Sequence, residues 1–288
     1  MLQRSLLLVL LAGAVLAGSE VAFLTTVPVG DLHVPAIWPP VGVLLGFLVL
    51  ARGAHLPVVL TGAAAIAAGL MWHEWPPVAA IGVGLIQGAE AACAAWMLRS
   101  RLGGPMSLGT TSHVALFMGV TAGASFVGGL AVGVWLGVVL PELSFTNATL
   151  AWGVGDVVGF VLAAPAVLGV ADALEPRDAR YRPMMILEFG GLLVAGALVA
   201  GGVFSERLPA SISTPAILLP VFLWSCFRFG PGGVSGVLLL VAVIGVWYSS
   251  RGQGPFALPD ALPLAWIHRT QGTSTMAALS FISLGSVV

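Results

Sequence analysis

The chain has 288 residues, of which 58% are hydrophobic and only 8% charged, and its formal net charge is −1. A soluble domain carries about 25% charged residues, so this chain cannot coat itself for water and its solvent is lipid. The balanced charge offers no basic surface for nucleic acid, and two cysteines exclude a disulfide framework.

A helix needs about 20 apolar residues to cross a bilayer. About ten apolar segments are predicted, at 5–27, 37–51, 56–72, 77–98, 111–140, 149–171, 183–204, 215–227, 232–249 and 271–288. The fold class is therefore an all-α polytopic membrane protein. The first segment follows Met1-Leu2-Gln3-Arg4 like a secretory signal, but its apolar run exceeds the roughly 7–15 residues of such a signal. It is read as a retained helix. The second segment is short and opens on Pro39-Pro40, which suits a helical first turn. The eighth is short too, so eight full crossings are the competing count. The fifth is long and rich in glycine.

Every basic residue is arginine. With a cytoplasmic N-terminus and ten crossings, Arg4, Arg52, Arg99, Arg101, Arg177, Arg180, Arg182 and Arg228 fall inside, and Arg207, Arg251 and Arg269 outside. That excess follows the positive-inside rule, favours ten over eight, and puts the C-terminus in the cytoplasm as well. The charged stretch 172–182 reads as a solvated inner loop. The outer loops 28–36 and 250–270 are flanked by Trp38, Trp72, Trp75, Trp247 and Trp266, read as an interfacial belt.

The order of features recurs. Long helix, Pro-bearing loop, short segment, Arg-Gly turn, helix and a Gln-Gly pair (Gln87-Gly88) are answered by a second series ending in Gln271-Gly272. Segments one to four then match seven to ten as a parallel repeat, with halves 1–100 and 183–288 joined by 101–182. Such architectures place ligand sites near the midplane between repeats.

Three acids interrupt the apolar runs. Asp156 lies in Trp152-Gly153-Val154-Gly155-Asp156-Val157-Val158-Gly159, in a stretch from Thr149 to Ala171 with no other charge between those ends. An ionised carboxylate at the bilayer centre costs about 2.5–3.5 kcal/mol even on the lenient insertion scale. It therefore needs a partner, a wet cavity or a proton. Trp152, at i−4, shares its helix face. Glu90 has Gln87 at i−3 on one face, and Glu20 follows Gly18-Ser19 near the outer end of the first helix. Each acid reads either as a ligand site or as an inter-helix packing element. Glu188 reads as a rim ion pair with Arg182. Arg228 is explained by topology, with a counter-charge role for Asp156 as the alternative. Trp38 forms either a rigid helix entry or a pocket wall. His33, His73 and His268 read as outer-surface histidines, with pH sensing or metal binding as the alternative. His55 and His113 read as inner-loop residues. Cys93 and Cys226 read as small buried hydrophobes. No nucleophile–base pair, phosphate-cradling loop, metal-ligand spacing or cofactor fingerprint occurs, so neither catalysis nor a cofactor is expected.

Four islands lie in order along the chain: Ile37-Trp38-Pro39-Pro40-Val41-Gly42; Gln87-Gly88-Ala89-Glu90 with Trp96-Met97-Leu98-Arg99; Trp152 to Gly159 with Pro165; and Leu219 to Trp224 with Arg228-Phe229-Gly230-Pro231 and Gly254-Pro255-Phe256. Together they resemble the bacterial membrane-associated sensor domain called MASE, type one. The sequence departs from that pattern at Gln87-Gly88-Ala89, where the family commonly carries a Gly-Asn-Thr-like turn. The resemblance implies an integral-membrane sensory module of the bacterial inner membrane. In that family it precedes a cytoplasmic histidine kinase, diguanylate cyclase or phosphodiesterase, and no such output module is recognisable within these residues. It also implies a small-molecule ligand or membrane-protein partner, with a homodimer as a further option. The candidate ligand residues are Asp156, Glu90, Trp152, Gln87, Trp38, Glu20 and Arg228. A secondary-transporter-like carrier and a ligand-free membrane anchor or dimerisation scaffold are the alternatives.

Overall fold

The computed structural model describes residues 2–29, 32–51, 55–102, 108–174, 182–206, 214–255, 277 and 280–286. Trp266, His268, Arg52, Arg177, Arg180, Arg207, Arg269 and most of segments 250–270 and 271–288 lie outside the described residues. In chain order the elements are α1 (Leu2–Phe23), β1 (Thr26–Val29), β2 (Leu32–Pro35), α2 (Pro39–Leu50), α3 (His55–Trp72), α4 (Pro77–Leu102), α5 (Thr111–Val139), α6 (Phe145–Leu174), α7 (Arg182–Phe204), a 3-10 turn at Pro215–Leu218 and α8 (Leu219–Ser249).

Seven of the described helices are long and apolar enough to cross a membrane. The chain is an all-α polytopic membrane protein, with one small exception. The expected loop 28–36 is partly a hairpin, β1 and β2 pairing antiparallel with Val27 opposite Val34. Its sequence alternates apolar and other residues around Gly30-Asp31, a pairing that suits a tight reversal.

Two compact units divide the chain: residues 1–106 with 115–164, and residues 107–114 with 165–288. The expected halves 1–100 and 183–288 fall one within each unit. Of the intervening stretch, most of α5 and α6 belongs to the first unit.

In the first unit α1 packs on α2 and α3, α3 on α4, and α2 on α4. The 12 residues of α2 rise only about 18 Å, short of a hydrocarbon core of about 30 Å. Ahead of α2 the chain bends through Ala36 and Ile37 to Trp38, all three buried in protein. Irregular backbone at membrane depth is tolerated only when protein satisfies it. Here Ala36 N–H donates to the Thr25 carbonyl at 3.0 Å and Trp38 N–H to the Gly155 carbonyl at 3.4 Å. Two glycines allow α2 to lie directly on α6. A methyl group at Gly42 would collide with the Gly159 carbonyl, and one at Gly159 with the Trp38 carbonyl.

The far end of α2 is capped from α4. Arg99 Nη2 donates to the Ala51 carbonyl at 3.1 Å and also to Leu48, and Nη1 lies 3.0 Å from His55 Nδ1. A guanidinium at a helix C-terminus satisfies orphan carbonyls and complements the helix dipole.

In the second unit α8 is two helices. Gly230 has φ +63° and ψ −161° and is followed by Pro231. A methyl on Gly196 of α7 would lie 3.5 Å from Val221 and 3.7 Å from Val237. In a straight helix those valines would stand about 24 Å apart. The chain therefore reverses at Gly230, so the expected segments 215–227 and 232–249 are distinct. The short first arm packs on residues 280–286, with Phe222 and Phe281 ring centroids 5.1 Å apart.

Candidate functional site

The sequence placed Trp38, Gln87, Glu90, Trp152 and Asp156 in three separate segments, and the fold of the first unit gathers them. Gln87 lies ten residues into α4, about 15 Å from its start and near mid-depth. Trp38 Nε1 donates to Gln87 Oε1 at 2.6 Å. Gln87 Nε2 donates to both Asp156 oxygens, each at 2.8 Å. An indole nitrogen can only donate. That fixes the Gln87 amide with its oxygen toward Trp38 and its NH₂ toward Asp156. The sequence explains the convergence: Pro39-Pro40 holds Trp38 at the entry to α2, and Gly155 and Gly159 flank Asp156 so that this entry can touch α6.

Asp156 and Gln87 are wholly buried and Trp38 is 1% exposed. Trp152 meets Trp38 edge-on, with centroids 5.2 Å apart, and Trp75 at 5.9 Å. Trp38 and Trp75 thus belong to a buried aromatic wall and not to the expected interfacial belt, whereas Trp72 is exposed. The cluster has a substantial apolar wall, but the indole N–H of Trp152 finds no acceptor among the described residues.

Glu90, one turn along α4 from Gln87, is 6% exposed. Both of its carboxyl oxygens lack a hydrogen bond of ordinary geometry among the described residues, and so does Ser125 Oγ. Asp156 and Ser125 are its polar neighbours. The carboxyl lies against Gly128 of α5, where a methyl group would occupy its place. Sequence reading missed Ser125, Trp75 and the capping role of Arg99. Serine in an apolar helix carries no spacing signal, and Arg99 was fully accounted for by topology.

Glu20 lies apart from this site within the first unit, and Arg228 has a carboxylate partner of its own within the second. Glu20 is half-exposed at the helix end, 3.2 Å from His73, whose ring stacks on Phe23 at 3.7 Å. Arg228 belongs to the second unit and donates through Nε to both Glu188 oxygens at 3.0 Å, while Trp224 reaches Glu188 at 3.3 Å. Glu188, read from the sequence as a rim ion-pair residue, thus pairs with Arg228, so the alternative reading of Arg228 as a counter-charge gains no support from its observed partner. Its neighbouring helix supplies a carboxylate at the same level. Cys226 is buried as expected, but Cys93, one turn along α4 from Glu90, is exposed.

Among the described residues no group of three His, Cys, Asp or Glu is arranged to hold a metal ion. What the site can do chemically is accept a hydrogen bond, hold a proton between carboxyls, or bind a small polar group against tryptophan.

A polytopic helical protein with a buried polar cluster inside one unit fits the class of membrane sensory domains of signalling proteins. The chain belongs to the MASE1 family, whose model matches residues 4–262. Neither a curated protein nor a solved structure matches it.

Proposed function

We propose that this chain is the sensory input domain of a bacterial signal-transduction protein of the histidine kinase or diguanylate cyclase type. A small ligand or membrane-protein partner engages the Trp38–Gln87–Asp156 chain and Glu90. The domain sits in the bacterial inner membrane with both termini cytoplasmic, and passes its state to a C-terminal cytoplasmic output module. The stretches 1–100 and 183–288 are read as copies of one repeat, supported by the recurrence of a short helix between long ones: α2 in the first, and the arm before Gly230 in the second.

The observation that carries the sensory reading is a buried Asp156 carboxyl held by one amide beside a buried acid, Glu90, that has no hydrogen bond of ordinary geometry among the described residues. Packing alone favours satisfied polar groups, since each unpaired one costs about 1–3 kcal/mol. A ligand can shift a two-state bundle only through different affinity for its two states. The test joins the chain to its own output module and measures output across growth conditions. Asp156→Asn should change the response while the protein still inserts and folds. A response identical to the unsubstituted protein under every condition would overturn the reading.

A carrier is the second reading. It is favoured by one feature, a short helix that starts at membrane depth beside buried acids, as in transporter sites. Uptake into vesicles that disappears with Glu90→Gln would establish it; ligand binding without uptake would exclude it.

A further inference from the structure

We propose that Glu90, Ser125 and Asp156 bind one small monovalent cation, a proton or a sodium ion, and that this cation is an effector of the domain. The inference deepens the sensory reading by naming a ligand class for the same cluster.

Three elements build the place. Glu90 comes from α4, Ser125 from α5 and Asp156 from α6. All three are buried, and Ser125 has no exposure at all. Two carboxyls lie together with no arginine or histidine among the polar neighbours of Glu90; the other titratable neighbour is Cys93 on α4 itself. α2, which packs on α4, carries no charged residue, and α3 has only His55, at its far end. Arg99 is about 13 Å along α4 from Glu90 and is occupied at the α2 carbonyls. Two ionised carboxylates side by side at mid-depth, with no positive charge near, are mutually repulsive and poorly solvated. A positive charge must accompany them.

The hydrogen bonds give the size of that charge. Both Asp156 oxygens are already taken by the Gln87 amide. Among the described residues, the Glu90 carboxyl oxygens and Ser125 Oγ are left without a hydrogen bond of ordinary geometry. Ser125 faces the Glu90 carboxyl from α5, and its hydroxyl makes no hydrogen bond of ordinary geometry among the described residues, so the carboxyl and the hydroxyl border one common space. One open carboxyl and one hydroxyl match a single positive charge. Gly128 contributes by leaving the volume that the Glu90 carboxyl occupies.

The test uses the full chain in lipid nanodiscs. Its thermal midpoint is followed against NaCl at pH 8.5, with choline chloride keeping the ionic strength constant, and against pH from 5.5 to 8.5 without sodium. Ligands that bind only the folded state raise its stability in a saturable way. A saturable rise of about 3 °C or more in the sodium arm identifies sodium, and a comparable rise toward low pH alone identifies the proton. Glu90→Gln keeps the shape and removes the charge, so it should hold the midpoint high and abolish the dependence. Ser125→Ala should shift half-saturation about tenfold without loss of folding. Should Glu90→Gln fail to fold, equilibrium binding of radioactive sodium and a proton-release measurement on the unsubstituted protein and on Ser125→Ala decide the matter. No dependence on sodium or pH in the unsubstituted chain, or a dependence unchanged by either substitution, overturns the proposal. Cation binding with an Asp156→Asn output unchanged would sink the sensory reading alone; an altered output with no cation effect would sink this one alone.

Discussion

Replacing Gln87 by leucine removes the one residue that links α2 to Asp156. Leucine matches the volume but offers neither acceptor nor donor. The Trp38 indole N–H and the Asp156 carboxylate would then be buried without their present partner. Two magnitudes compete. Neutral hydrogen bonds between membrane helices contribute only about 0.6 kcal/mol on average, because the unfolded chain in lipid also finds partners. Bonds to a charged group contribute about 1.5–3 kcal/mol. The Asp156 end should therefore dominate, and the total loss should be roughly 2–3.5 kcal/mol. Reversible unfolding in mixed micelles measures it. Paired cycles with Trp38→Phe and Asp156→Asn apportion the two ends. A total below about 0.5 kcal/mol, or a larger coupling to Trp38 than to Asp156, would refute the reasoning.

Three further outcomes follow from packing and backbone. Gly42→Leu should prevent α2 from resting on Gly159 and cost about 1–3 kcal/mol or more, seen as reduced folded yield and a lower unfolding midpoint. Arg99→Ala should free the carbonyls at the end of α2 and cost about 1–3 kcal/mol, read as faster amide exchange around residues 48–51 with the α1–α3 contact intact. Gly230→Ala forces a side chain into a backbone region used almost only by glycine, costing about 1–3 kcal/mol, and should be detected as a lower midpoint in the same micelle assay.

The helical spans were legible because an unbroken run of about 20 apolar residues matches the thickness of a bilayer's hydrocarbon core. The short second and eighth segments were legible as anomalies of length, and Pro39-Pro40 and Gly230-Pro231 marked where each begins or ends. The hairpin 26–35 was not, since it is shorter than any window that separates strand from loop. Asp156, Glu90 and Gln87 stood out as polar groups in apolar runs, and Gln87 was placed on Glu90's face by helical spacing. Their assembly with Trp38 was not readable, because it depends on which helix lies against α6. For the same reason Glu20 was grouped with the site although it pairs with His73 at its helix end, and the pairing of Arg228 with Glu188 was not foreseen. Charge in an apolar stretch reveals a need for company but not whose company it keeps.

Both extremities of α2 are fastened to the same neighbour: Trp38 to Gln87 above, Ala51 to Arg99 below. The 12-residue rod therefore rides on α4 as a passenger. A sliding or tilting of α4 would drag it along, and the motion would be felt where its upper tip touches Gly155 and Gly159.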